Sequence, residues 1–209
     1  DEVYGSTDKD FFDENDKLNP SSPYSASKAS AELIINAYEK TYGYKVAMVR
    51  PANNYGIYQQ PEKLIPFSIA KLESGKNLEV YGDGKNIRHW ISVKDTNSAI
   101  LTVLDRGSMN EIYNIGSDFY LSNIDLVKKI IKFLGKDLDK ISYVEDRPGH
   151  DFRYATNIDK LKKLGWEPQV DFDEELENIC NWYLNNKDWW KEQFKNIIDE
   201  KRNKRMGLV

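Results

Sequence analysis

Residues 20–50 read PSSPYSASKASAELIINAYEKTYGYKVAMVR: a turn-rich start, a long stretch free of Pro and Gly, then a glycine and an apolar run. A helix is expected from about Pro23 through the tyrosines to Gly43, because the polar stretch before it is broken by Pro20 and nothing after Pro23 interrupts a helical period. Within it Glu32, Asn36 and Glu39 fall at i, i+4 and i+7 and make one narrow polar stripe. The remaining surface carries Ala26, Ala29, Leu33 and Ala37 on one side, and Tyr24, Lys28, Ala31 and Ile35 on another. A helix so patterned is expected to be buried on most sides. KVAMVR, residues 45–50, then reads as an interior strand stopped by Pro51.

The same alternation continues outward. Residues 6–22 are polar and read as a surface loop. Downstream, the expected units are a helix at about 66–75, a strand LEVYG turning at Asp83-Gly84, a strand HWISV, and a helix 95–107 with Asp95 as its N-cap. They are followed by a strand EIYNIG, a helix opening at Ser122 and ending at Gly135, and helices at about 157–164 and 173–186. Short strands interleave with helices and no stretch repeats, so the class is α/β.

Composition narrows the function. The 209 residues are 40% hydrophobic, with five Trp and thirteen Tyr, enough for a packed core. The net charge of −4 gives no general attraction to nucleic acid, and the basic run KRNKR near the end reads as a solvated terminus. Cys180 is the only cysteine, so no disulfide forms within the chain and a reducing compartment fits. No signal peptide and no membrane-length apolar run is seen, and a soluble, cytoplasmic protein is expected.

Several stretches could carry chemistry. Tyr24 and Lys28, four apart, share one helix face; an ammonium beside a phenol favours the phenolate and makes a general base. On spacing alone this is a surface pair, and it is the small-residue context of SSPYSASKA that points to function. Asp1 and Glu2 could flank one substrate if they end a strand at a crevice, one as acid and one as base. From charge alone they read as solvated acids. The amides of RPANNYG suit ribose or sugar hydroxyls, or else an Asx turn. Arg88, Arg147, His150, Arg153 and Tyr154 lie on loops and could form a diphosphate clamp, since guanidinium forks match phosphate oxygens. Singly, each Arg reads as a salt-bridge partner. His89 and His150 are the only histidines, and Cys180 is remote from both, so no metal site is expected. No Gly-x-Ser-x-Gly elbow is present.

DEVYG, NPSSPYSASKASAE, NNYGIYQQPEKLIP, IRHWISVKD, EIYNIG and DRPGHDFRYATN together resemble, in order over residues 1 to about 185, the extended short-chain dehydrogenase/reductase superfamily and most closely its dTDP-glucose 4,6-dehydratases. The resemblance implies the C-terminal portion of a doubly wound, Rossmann-like parallel sheet plus a smaller mixed α/β substrate-binding lobe. Residues 1–53 would be the remaining part of the NAD-binding domain, 54–185 mainly the lobe, with segments returning to the sheet, and 186–209 a C-terminal helical tail. It also implies that the glycine-rich NAD fingerprint and a catalytic Thr would precede Asp1 in a longer chain. The implied cofactor is NAD, contacted by Tyr24, Lys28 and Asn54. The implied substrate is a sugar nucleotide, dTDP-glucose or a close relative, lined by Asn53, Lys63, Leu64, Glu79, Val80, Tyr81, Arg88, Asn114, Asp146, Arg147 and His150. Tyr24, aided by Lys28, would deprotonate the C4 hydroxyl as hydride leaves for NAD; Glu2 would take the C5 proton, Asp1 would protonate the departing C6 hydroxyl, and hydride would return to C6. A homodimer is implied, through the Tyr24/Lys28 helix. Glu79 and Ile57 depart from the family, which often has Pro at those positions.

Two rivals remain. A 4-epimerase of the same superfamily would carry small hydroxyl residues where Asp1 and Glu2 stand, and a hexuronate decarboxylase would resemble SEVYG, so the acid pair favours elimination. A non-catalytic sugar-nucleotide-binding fragment would not need a complete cofactor domain.

Overall fold

The computed structural model describes residues 1–7, 11–146 and 150–198. Arg147, and with it part of the expected clamp, lies outside the described residues, as does the KRNKR run. In chain order the elements are α1 (Pro23–Tyr42), β1 (Met48–Pro51), β2 (Asn53–Tyr55), α2 (Leu64–Glu73), β3 (Leu78–Tyr81), β4 (Ile87–Ser92) and α3 (Val93–Arg106). They continue as β5 (Ile112–Ile115), β6 (Tyr120–Ser122), α4 (Asn123–Phe133), β7 (Ile141–Val144), α5 (Asp159–Lys162), α6 (Phe172–Asn185) and α7 (Lys187–Ile198). The α/β class holds.

The chain divides into two compact units, the first made of residues 1–54, 85–123 and 146–170, the second of 55–84, 124–145 and 171–209. In the first, β1 and β5 pair in parallel, with Arg50 opposite Asn114, and β2, β4 and β6 form a sheet in which β4 and β6 are antiparallel. Ala52, Ile91, Ala99, Val103, Tyr113, Ile115, Ile158, Leu161 and Trp166 form its core. In the second unit β3 and β7 pair in parallel, and the apolar sides of α2, α4 and α6 are buried through Ile69, Ile130 and Leu176.

α1 begins and ends where local chemistry dictates. Ser22 and Ser25 make a reciprocal capping box, Pro23 takes the first turn, and Gly43 closes the helix in the left-handed region. Its orientation corrects the sequence reading. Only Ser25, Ala29 and Glu32 are buried, while Leu33 (62% exposed), Ile34 (58%), Tyr38 and Tyr42 face outward. The small residues allow close approach to the segment Val3–Tyr4, and the inward Glu32 is matched by an arginine described below. α3 differs too. Its N-cap is Ser92, whose side chain accepts from Lys94 N, and Asp95 lies one turn in, buried, accepting from the main-chain N–H of Gln169 and Val170. Ser122 ends β6 and stands immediately before α4, at the helix start expected there, and the short strands β2, β6 and β7 escaped the sequence reading.

Candidate active site

The parallel pair β1 and β5 ends at Pro51 and Ile115, and the main-chain nitrogen of Asp1 donates to the Pro51 carbonyl at 3.1 Å. Residues Glu2–Tyr4 then form a single 3-10 turn, not the extended strand end expected from the sequence. Val3 and Tyr4 point into the protein, and Gly5 leaves the turn at φ 76° with its Cα against the Asn19 carbonyl. The turn thereby hangs the acid pair beside the strand ends, the usual place for a site in an open parallel sheet. Asp1 Oδ2 is buried with no hydrogen-bond partner. Such orphans are rare enough in folded proteins to need an explanation.

Tyr24 and Lys28 both project from α1 into solvent, Tyr24 at 62% exposure, where a buried pair was expected. The capping box sets Tyr24 in place, and Ser27 Oγ donates to its carbonyl at 2.7 Å. Just before the helix, Ser21 Oγ donates to Asp151 Oδ2, which also accepts from Tyr154 OH at 2.7 Å. The negative charge of Glu2 acts on Tyr154, whose phenol is pushed well above its ordinary value chiefly by burial. Asn54 is oriented on both sides: Thr96 Oγ1 donates to its Oδ1 at 2.6 Å and its Nδ2 donates to the Ala52 carbonyl at 3.0 Å.

The expected sugar-nucleotide residues fall into different settings. His150 Nδ1 lies 2.6 Å from Asp146 Oδ1, with the imidazole largely covered. Asn53 is half-buried at the start of β2. Arg88 is buried at 6% exposure, its guanidinium donating to the carbonyls of Asp151 (3.0 Å) and Ile87 (2.9 Å) and lying over the Tyr154 ring. Those bonds point it inward rather than at a diphosphate. Asn114, expected at the substrate, is fully buried instead: its Oδ1 accepts from Tyr4 OH at 2.8 Å and its Nδ2 donates to the Asn157 carbonyl at 3.2 Å.

Lys63, Leu64, Glu79, Val80 and Tyr81 belong to the second unit. Lys63 is the exposed N-cap residue of α2, and Leu64 is half-buried at its first turn. Along β3 the pleat alternates, so Val80 enters the core while Glu79 faces out and pairs with Lys71 at 2.6 Å; Tyr81 is half-buried. Val80 can therefore offer a ligand its main chain but not its side chain.

What sequence reasoning missed is a buried polar network. Arg50, on β1, grips both carboxylate oxygens of Glu32 on α1, and its remaining arm reaches Tyr4 OH at 2.6 Å. The only hint in the sequence was that Glu32 follows Lys28 by one helical turn.

Known proteins place these observations. A profile of the GDP-mannose 4,6 dehydratase family matches residues 1–179. The low-salt glycan biosynthesis protein Agl12 of Haloferax volcanii is 46% identical over 184 residues, which are 88% of this chain and 59% of that protein. The dTDP-glucose 4,6-dehydratase of Escherichia coli is 43% identical over 222 residues, covering 100% of this chain and 60% of its own length. The crystal structure of the dTDP-glucose 4,6-dehydratase DesIV from Streptomyces venezuelae, with NAD and TYD bound, superposes with a TM-score of 0.89 at 43% identity, over 91% of this chain and 60% of that one. The chain thus spans about three-fifths of the length of the curated relatives it matches.

Proposed function

We propose, from the premise that the chain belongs to the GDP-mannose 4,6 dehydratase family, that the whole protein dehydrates a nucleoside-diphosphate hexose, dTDP-glucose or a near relative, to the 4-keto-6-deoxy sugar nucleotide. The observation that carries this is the acid pair at the strand ends, with one oxygen of Asp1 buried and unbonded. A carboxyl oxygen in that state is open to a hydrogen bond from a hydroxyl group of a bound ligand. Delivery of a proton to a departing C6 hydroxyl is the step elimination needs and epimerisation does not.

The residues fit NAD. Tyr24 and Lys28 stand exposed on one face of α1 and Asn54 is held in orientation by Thr96, so these three would hold the cofactor. When bound, NAD supplies a transient hydride acceptor that is restored at the end. Tyr24, with the Lys28 ammonium one turn away, removes the proton of the C4 hydroxyl. The resulting ketone acidifies C5, Glu2 takes that proton, and Asp1 protonates the leaving hydroxyl. Asn53 and His150, with Arg147, would bind the sugar nucleotide.

The outward Leu33, Ile34, Tyr38 and Tyr42 of α1 favour a homodimer in which a second copy covers this helix, acting in the cytoplasm. Among the described residues no helix is long and apolar enough to cross a membrane.

The test is product mass from the whole protein with NAD and dTDP-glucose. Loss of one water supports the reading. An unchanged mass with inverted C4 supports the epimerase alternative and overturns it, as does binding without turnover.

A further inference from the structure

We propose that the Arg50 guanidinium is the joint that holds the acid pair in register with the Tyr24/Lys28 helix, and that Tyr4 is a positioning residue for the elimination step through its hydroxyl. The inference rests on the functional reading above and adds residues to it.

Three pieces of chain meet at one planar group. Glu32 comes from α1, one turn beyond Lys28 and two beyond Tyr24. It is bound bidentately, with Arg50 Nη2 to Oε2 at 2.7 Å and Nε to Oε1 at 3.0 Å. The third nitrogen, Nη1, donates to Tyr4 OH at 2.6 Å and to the Glu14 carbonyl at 3.3 Å. Tyr4 closes the 3-10 turn that begins at Glu2. Arg50 itself precedes Pro51, the residue whose carbonyl receives the Asp1 main-chain nitrogen. A guanidinium has a rigid fork, so a shift of the turn relative to the helix breaks a bond on one side or the other.

The hydroxyl of Tyr4 is used in both directions, accepting from Arg50 and donating to Asn114 Oδ1 at 2.8 Å, and Asn114 lies opposite Arg50 across the parallel pair. Packing alone would not need that hydroxyl. The ring already lies against the Arg50 cation, 4.8 Å from its centroid, and stacks on Phe12 at 4.9 Å. Burial also pushes the phenol above its ordinary pKa, which keeps it a donor to Asn114. The hydroxyl therefore adds direction rather than bulk, and its beneficiary is the turn bearing Glu2. Glu32 serves the other side of the joint and sets the rotation of α1.

The experiment uses the whole protein with dTDP-glucose and two separate readouts: the single-turnover NADH signal for oxidation and solvent deuterium incorporation at C5 for elimination. Tyr4→Phe keeps the ring and loses the hydroxyl. It is expected to leave the NADH rate near wild type while slowing C5 exchange and kcat by about 10- to 100-fold, the cost of a sub-ångström to ångström misplacement, with KM little changed. Glu32→Gln is expected to slow the NADH signal at least as much as exchange, and the double variant should depart from additivity because both act through Arg50. Equal slowing of both steps in Tyr4→Phe, or unaltered kinetics with only a lower melting temperature, overturns the inference while the dehydratase reading survives. Should Tyr4→Phe fail to fold, additive behaviour of Glu32→Gln with Arg50→Lys overturns it and coupling between them supports it. A wild-type protein that makes no dehydrated product overturns the underlying reading and the inference together.

Discussion

Gly116 lies directly against the imidazole of His89, so that any side chain at this position would overlap the ring. The residue after β5 and the middle of β4 pack this closely because the glycine has no side chain, and His89 beneath it is completely buried and stacked on Tyr120. Gly116→Ala must push the ring or the strand aside. It is expected to cost about 1–3 kcal/mol by overpacking, lowering the melting temperature by roughly 2–4 °C for each kcal/mol. Thermal unfolding followed by circular dichroism measures it, and an unchanged melting temperature would refute the contact.

His89 also makes stability depend on pH. Burial holds its pKa down from 6.5 to about 4, against a smaller opposing pull from its hydrogen bond to the Ser117 main chain. The unfolded chain takes up a proton near 6.5 and the folded one only near 4, so the unfolded state binds more protons within that window. Stability is therefore lost as pH falls from about 6.5 to about 4, by about 3 kcal/mol in full. Urea midpoints at a series of pH values should fall more steeply for wild type than for His89→Gln. Parallel curves would show that the histidine is not responsible.

Glu32→Ala leaves the buried Arg50 without its carboxylate. The expected cost is about 3–5 kcal/mol, and joint replacement of both residues by Met should recover much of it, because breaking a buried pair is worse than removing it. Denaturant midpoints of the single and double variants decide the matter. A double variant no better than Glu32→Ala would argue against a charge penalty.

Tyr24→Phe in the whole protein should abolish the NADH signal with dTDP-glucose. Asp1→Asn and Glu2→Gln should leave oxidation partly intact and reduce formation of the 4-keto-6-deoxy product by about 10²- to 10⁴-fold. Dehydration at the wild-type rate by both acid variants would move the assignment to an epimerase-type role.

The limits of α1 were legible because each signal is local. Ser22 and Pro23 start the helix and Gly43 stops it, all within the segment they govern. The strand β3 was legible for the same reason, since the apolar run of LEVYG ends at its own Asp83-Gly84 turn. The strands NNY and YLS were not. They are three residues each, and they exist as strands only because β4 runs beside them.

For the candidate site, the sequence by itself marked out the candidate residue types: the acid pair, the Tyr-x-x-x-Lys helix and the amides after Pro51. Which of them face inward was decided by tertiary structure alone. Periodicity shows that α1 has a polar stripe, yet no local feature says whether Glu32 meets water or Arg50, eighteen residues away. Asn114 likewise reads as a strand-end amide and is a buried partner of Tyr4 across 110 residues. A buried polar group is tolerated only when its partner is in place, and that partner comes from chain folding, not from neighbouring sequence.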